Sequence, residues 1–199
     1  MGGLNFATFL KNRGATLGSG GMTDRDAIFA DLPAAGKKSR APVRQPPLPE
    51  YSADVLWGIF AQQLEALGGR IGTRADVDVI LARPHILDHE SASILGLQSG
   101  GDPVWDAEVG ITTADLAIAE TGTVLLATGP ARARMISLSP MVHVVIVPRD
   151  RIVATLAEAF ARLSDRTTVL ITGPSRTADI EGVLVRGVHG PGDIVVVPV

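Results

Sequence analysis

At 199 residues, with no cysteine, 46% hydrophobic and 4% aromatic residues and a formal net charge of −3, the chain can bury a full core but has no thiol chemistry of its own. Disulfides, thiolate-held iron–sulfur clusters, Cys-ligated zinc and a cysteine nucleophile are excluded. Residues 1–45 carry seven Lys/Arg against three Asp/Glu and the remainder eleven against eighteen, so the body is acidic and unsuited to a broad nucleic-acid surface.

The N-terminal stretch MGGLNFATFLKNRG lacks the early positive cluster and long apolar core of a secretory signal, and no apolar run approaches the ~18 residues of a membrane span. The expectation is a soluble cytoplasmic protein with no membrane contact. Residues 14–21 (GATLGSGG) and 33–49 (PAAGKKSRAPVRQPPLP) read as flexible and linker-like, with a two-turn helix over 24–32 capped by Thr23 between them. Residues 1–49 are therefore expected to be a basic, Pro/Gly-rich segment and 50–199 the folded domain.

From Tyr51 the pattern is that of packed α/β structure. Ser52 caps a helix whose Val55, Leu56, Ile59, Phe60, Leu64 and Leu67 recur at three-and-four spacing up to Gly68-Gly69. A buried strand is expected over 77–82, a helix over 90–97 and a chain break at Ser99 to Pro103. Strands over 111–119 and 124–128 flank the turn Glu120-Thr121-Gly122-Thr123, where Gly122 supplies the positive φ of a tight connection. A strand over 143–147, a helix with the stripe Ile152, Val153, Leu156, Ala159, Phe160 and Leu163, a strand over 168–172, a helix over 178–185 and a strand over 194–197 complete the chain. Alternating strands and helices imply a mostly parallel sheet covered on both faces, with ligands at the carboxyl ends of its strands.

Three segments carry chemistry. In Thr172-Gly173-Pro174-Ser175-Arg176-Thr177-Ala178-Asp179-Ile180-Glu181, a strand followed by a Gly-Pro turn and a helix start would aim unpaired N–H groups, with the Ser175 and Thr177 hydroxyls, at an anion. The same residues equally suit a helix cap, with Asp179 and Glu181 complementing the dipole. Asp115 and Glu120 interrupt an apolar stretch, so each carboxylate is either shifted towards acid–base use or held ionised by a partner; Arg134 is the countercharge for one of them or for an acidic substrate. Glu120 otherwise serves the backbone of its own turn. The loop Gly187-Val188-His189-Gly190-Pro191-Gly192 presents His189 for proton transfer, for metal ligation, or for a bond to a neighbouring carbonyl. His85 and His89 have the i, i+4 spacing of a helical metal pair but no third ligand at a matching distance, so no metal site is assigned. Neither a GxGxxG nor a GxxxxGK[ST] motif occurs.

Taken together, ITTADLAIAETGT (111–123), RMISLSP with VHVVIVP after it, ITGPSRTADIEGVLVRG (171–187) and VHGPGDIVVVPV (188–199) resemble the lactate-utilisation (LUD) domain family, more narrowly its protein C (YkgG) branch. The resemblance spans about residues 51–199, with its specific motifs in 105–199. It implies a three-layer α/β/α fold with a mostly parallel sheet, akin to the NagB/RpiA/CoA-transferase superfamily. It implies a cofactor-free subunit or accessory protein in oxidation of L-lactate to pyruvate, working with iron–sulfur partner proteins that hold the clusters, and able to oligomerise. The motif positions are Asp115, Glu120, Thr121, Gly122, Thr123, Arg134, Gly173, Pro174, Ser175, Thr177, Asp179, Glu181, His189 and Gly190. On this reading Arg134 pairs with the carboxylate of a small hydroxy- or keto-acid, the glycine turns offer N–H groups to it, and Glu120 or His189 moves the proton. Two other functions fit the residues: a CoA-transferase-like or sugar-phosphate-isomerase-like enzyme using Glu120, and a ligand-sensing module whose basic tail contacts a partner. The N-terminal third and the short stretch 68–83 depart from the family pattern.

Overall fold

The computed structural model describes residues 51–130, 132–163, 166–178 and 183–199, all within the unit Pro49–Val199. The expected helix at 24–32 and linker at 33–49 lie outside the described residues, as do Asp179 and Glu181. Among the described residues, no helix is long and apolar enough to cross a membrane.

Helix α1, Ala53–Ala66, starts where the Ser52 hydroxyl accepts the Val55 N–H, and it buries Leu56, Trp57, Phe60 and Leu64 along one stripe. Trp57 and Phe60 meet edge to face with centroids 5.3 Å apart. Strand β1 (Arg70–Ile71) precedes α2, Arg74–Ile80, which stands where a strand over 77–82 was expected. The capping box decides this: Thr73 accepts from the Asp76 N–H while Asp76 accepts from the Thr73 N–H, and Val77 and Ile80 then fall on one buried face with Val79 outside. Strand β2 (His85–Leu87) leads through the Asp88 cap into α3 (His89–Leu95), and β3 is Gly100–Gly101.

The single strand expected over 111–119 is two. Strand β4, Val109–Thr113, lies in one sheet and β5, Leu116–Ile118, in another, because the chain turns out of the first sheet at Ala114-Asp115. A 3-10 turn at Ala119–Thr121 with Gly122 at φ 63 joins β5 to β6, Thr123–Ala127, as the turn residues require. After a second 3-10 turn, Arg134–Ser137, come β7 (Val142–Val147) and β8 (Ile152–Val153). Helix α4 is only Leu156–Ala161: Thr155 caps it, and Ile152 and Val153, expected in its stripe, pair with β5 instead. Strand β9 is Thr168–Ile171. The helix expected over 178–185 is replaced by an antiparallel pair, β10 (Arg176–Ala178) with β11 (Leu184–Arg186). Strand β12, Asp193–Pro198, closes the chain.

The main sheet has the order β1-β12-β7-β4-β2-β3, parallel throughout except for β2 with β3. Alternate residues of β7 point to opposite cores. Val144 and Ile146 pack with Val77, Ile80, Ala92 and Leu95 of α2 and α3; Val145 and Val147 pack with α1 and with Ala117, Val124 and Leu126 of the second sheet, β8-β5-β6-β9. Helix α4 covers the far side of that second sheet through Ala159 against Ile118 and Leu125. Helices thus flank the parallel sheet on both faces, the α/β architecture expected of this sequence, with the small sheet set beside α1.

One glycine fixes how the 3-10 turn at 134–137 sits on the sheet. A Cβ on Gly110 of β4 would lie 1.8 Å from the Ile136 carbonyl oxygen, so only glycine lets that turn rest there. Gly110→Ala should lower the unfolding free energy in urea by about 2 to 3 kcal/mol. Gly58→Ala, at an open helix position with nothing within 4 Å, should raise it by about 0.5 to 1 kcal/mol. Equal responses at the two sites would refute the close approach.

Candidate functional site

The parallel strands have two ends, and each carries a polar constellation. At the amino ends of β7 and β12, a cleft of about 220 Å³ opens beside the 3-10 turn. His143 and Ile194 form its floor, Arg134, Ser137 and Leu138 one wall, Val169 to Gly173 the other, and Ser175 with His189, Gly190 and Pro191 complete it. The last two segments are laced together by the backbone. The Ser175 N–H donates to the Pro191 carbonyl at 2.9 Å, the Gly187 N–H to the Ser175 carbonyl at 3.1 Å, and the Gly192 N–H to the Met141 carbonyl at 3.0 Å.

Arg134, Gly173, Ser175, His189 and Gly190, far apart in sequence, therefore meet in one cleft. The anion site expected at a helix start does not exist in that form: β10 follows Ser175, and the Ser175 N–H already has a partner. Thr121 and Thr123 stay outside the cleft but brace it. Thr121 donates to Thr123 at 2.8 Å, and the Thr123 and Thr172 hydroxyls bond at 2.7 Å, Thr172 being part of the wall. Gly122 is a packing position, since a Cβ there would meet the Leu64 backbone nitrogen at 2.5 Å. Thr177 lies in β10, paired with Val185, and does not line the cleft. Glu120 is exposed and accepts the Leu156 N–H at 2.6 Å, holding the first turn of α4, so it is not among the cleft residues.

Asp115 lies at the opposite end of the sheet. It follows β4 at its carboxyl end, five residues beyond Gly110, which pairs with His143, a span of about 15 Å. Its countercharge is Arg132, not Arg134. Arg132 bonds Asp115 through Nη1, Asp88 through Nε at 2.8 Å and Glu90 through Nη2 at 2.9 Å, and Nη1 also reaches the Ala127 carbonyl at 3.2 Å. Arg151 takes the other Glu90 oxygen at 2.6 Å. Burial works against the Arg132 charge, but the Asp115 and Asp88 carboxylates outweigh it and raise its pKa further. Asp88 is spent as well, accepting the Ser91 N–H at 2.7 Å and the Thr113 N–H at 3.0 Å. Arg134 makes no ion pair with any described residue. In the amino-end cleft, the Arg134 guanidinium is therefore uncommitted among the described residues.

His143 belongs to the cleft and was not singled out as a site residue from sequence; one polar residue inside an apolar strand is the signal it leaves. Its ring is fully buried, Nε2 bonds the Thr112 hydroxyl at 2.9 Å, and Nδ1 has no partner among the described residues. Burial pushes its pKa down to about 4, with the Asp88 charge opposing weakly. Among the described residues no group of three potential ligands could hold a metal; His85 sits in β2 and His89 opens α3, so they share no helix face.

Residues 104–199 match the family model described as LUD domain. This segment, just under half of the chain, is similar to the LUD domain family. Over 94 residues it is 44% identical to "Lactate utilization protein C" of Macrococcus caseolyticus, covering 43% of this chain and 41% of that one. Over 117 residues it is 38% identical to the Bacillus subtilis protein of the same name, covering 47% and 49%. The matches thus span less than half the length of these curated relatives. A crystal structure of a DUF162 family protein from Deinococcus radiodurans superposes with a TM-score of 0.57 over 75% of this chain and 99% of that one, at 21% identity, a likeness of fold. The LUD segment contains the whole amino-end cleft.

Arg132→Ala should destabilise the protein by about 3 to 5 kcal/mol, because the buried Asp88 would lose its countercharge. Arg132→Lys should fall between, having one ammonium where the guanidinium forks to three carboxylates. His143 gives a separate pH signature. Its folded pKa lies below the unfolded value of 6.5, so its contribution is complete above about pH 6.5 and is lost as pH falls towards 4. Urea unfolding at pH 7.5 and 4.5 should show wild type losing about 2 to 3 kcal/mol more than His143→Phe; parallel losses would contradict a buried neutral ring.

Proposed function

We propose that the protein is a component of lactate utilisation that binds a small 2-hydroxy- or 2-oxo-monocarboxylate in the amino-end cleft. The observation that carries this reading is Arg134, a guanidinium with no carboxylate partner among the described residues, set in a cleft that also holds Ser175, Ser137 and His189. A guanidinium is matched to a carboxylate in geometry and charge. The cleft volume of about 220 Å³ is below the roughly 300–1,000 Å³ of sites for drug-sized ligands, which favours an occupant of a few heavy atoms. The name borne by the curated relatives supports lactate and pyruvate as the first acids to try.

In this reading Arg134 fixes the carboxylate, the Ser175 hydroxyl adds a hydrogen bond, and His189 at the exposed rim exchanges a proton with solvent. Oxidation of lactate needs an electron acceptor, and a chain without cysteine leaves thiolate-held clusters to iron–sulfur partner proteins. The chain then works as a non-redox subunit and is inactive alone. Glu120, the residue a CoA-transferase-like mechanism would use, is engaged with α4 away from the cleft, so no specific observation favours that alternative.

Thermal unfolding of the full chain with L-lactate or pyruvate tests the proposal. At a hundred times Kd a bound acid adds about 2.7 kcal/mol. For a domain of this size that amounts to a rise in Tm of roughly 5 °C or more. Arg134→Ala should abolish the rise without lowering the Tm of the free protein. Absence of a shift with both acids, or an equal shift in the variant, would count against this site.

A further inference from the structure

We infer that His143 is the residue that recognises the oxygen on C2 of the bound acid, and that Thr112 lets the same ring nitrogen serve both a hydroxyl and a keto group. The inference rests on the proposed carboxylate site at Arg134. Its own observation is an unsatisfied atom: Nδ1 of a fully buried ring that borders the cleft has no hydrogen-bond partner among the described residues. A buried polar atom without a partner costs about 1 to 3 kcal/mol, and native structures keep such atoms where a ligand or water completes them.

The geometry gives Nδ1 a choice of role. Nε2 lies 2.9 Å from the Thr112 hydroxyl, and a hydroxyl can donate or accept by rotating. When Thr112 donates to Nε2, the ring proton is on Nδ1 and donates to a keto oxygen. When Nε2 donates to Thr112, Nδ1 is bare and accepts from a hydroxyl. Both arrangements need a neutral ring, and burial keeps the imidazole neutral through the physiological range. Arg134 holds the carboxylate in either case, so rotation of the Thr112 hydroxyl suits the ring to either oxidation state of a 2-oxygenated acid once that acid displaces the side chains covering Nδ1. Propionate, which lacks the C2 oxygen, would leave Nδ1 unsatisfied.

Titration calorimetry and ¹⁵N-imidazole NMR on the full chain test this with L-lactate, pyruvate and propionate as probes. Wild type should bind the first two about tenfold more tightly than propionate, the difference of one buried hydrogen bond. His143→Phe should bring all three to the propionate level, and Arg134→Ala should remove binding of all three. In the wild-type protein, which makes the test independent of any variant's folding, the His143 Nδ1 resonance should be of the protonated type with pyruvate and of the bare type with lactate. Identical His143 nitrogen shifts with all three acids, or lactate and pyruvate binding no better than propionate while still depending on Arg134, would overturn the role of His143 and leave the carboxylate site standing. Binding of none of the three would overturn the site itself and this inference with it.

Discussion

The fold hangs on one guanidinium. Arg132, nearly buried, bonds Asp88 ahead of α3, Glu90 in its first turn, Asp115 between the two sheets and the carbonyl of Ala127 at the end of β6. Those contacts join the main parallel sheet, through β2 and β4, to the second sheet, through β6. Two of the three acids are themselves tied to backbone, Asp88 to Ser91 and Thr113 and Asp115 to the Ala127 N–H, and Glu90 is held by Arg151. Removing the cation would strand an acid with no water to solvate it, which makes the network strongly cooperative.

That construction also decides where a ligand can go. In open α/β sheets the carboxyl ends of the strands are the usual place for a site. Here that edge holds a pocket of about 210 Å³ whose cations, Arg132 and Arg166, are already paired with Asp88, Glu90 and Asp115, so little free charge is left to greet an anion. The amino edge is built differently. Gly110 lets the turn at 134–137 settle on the sheet, the β9 end forms the facing wall, and the loop at 189–191 bonds back to Ser175. Main-chain contacts, with the Thr172 and Ser137 hydroxyls, fix the walls, while the Arg134 guanidinium makes no ion pair among the described residues.

Much of this was legible in the sequence. The apolar stripe of α1 with its Ser52 cap, the strands over 124–128, 143–147 and 194–197, and the Gly122 turn follow from local periodicity and φ requirements, and they hold. The signature Thr73-x-x-Asp76 was present too, yet the apolar alternation of Val77, Val79 and Leu81 resembles a strand; the cap outweighs it. Residues 176–178 pair with 184–186 as β10 and β11, an outcome that depends on the partner strand and not on local propensity. In Ala131-Arg132-Ala133-Arg134, nothing local says which arginine is buried. One extended residue, Ala133, sets them apart, and tertiary closure delivers one to the acids and the other to the cleft. The expected site was likewise split: Arg134, Gly173, Ser175 and His189 converge, while Asp115 is structural and Glu120 caps a helix.

The contrast between Arg132 and His143 says more than either alone. Both are buried polar side chains, and burial penalises both. Arg132 recovers that penalty within the protein, through three carboxylates and a carbonyl, so mutation there reads out as stability. Among the described residues, His143 recovers only half of its hydrogen-bonding capacity, through Thr112, and keeps Nδ1 unsatisfied beside a cleft whose guanidinium, Arg134, also has no ion-pair partner there. Two unsatisfied groups of complementary kind, a cation for a carboxylate and a neutral nitrogen for an adjacent oxygen, border the same small space. The binding free energy the fold withholds from its own interior is concentrated there, in the arrangement a 2-oxygenated acid would complete.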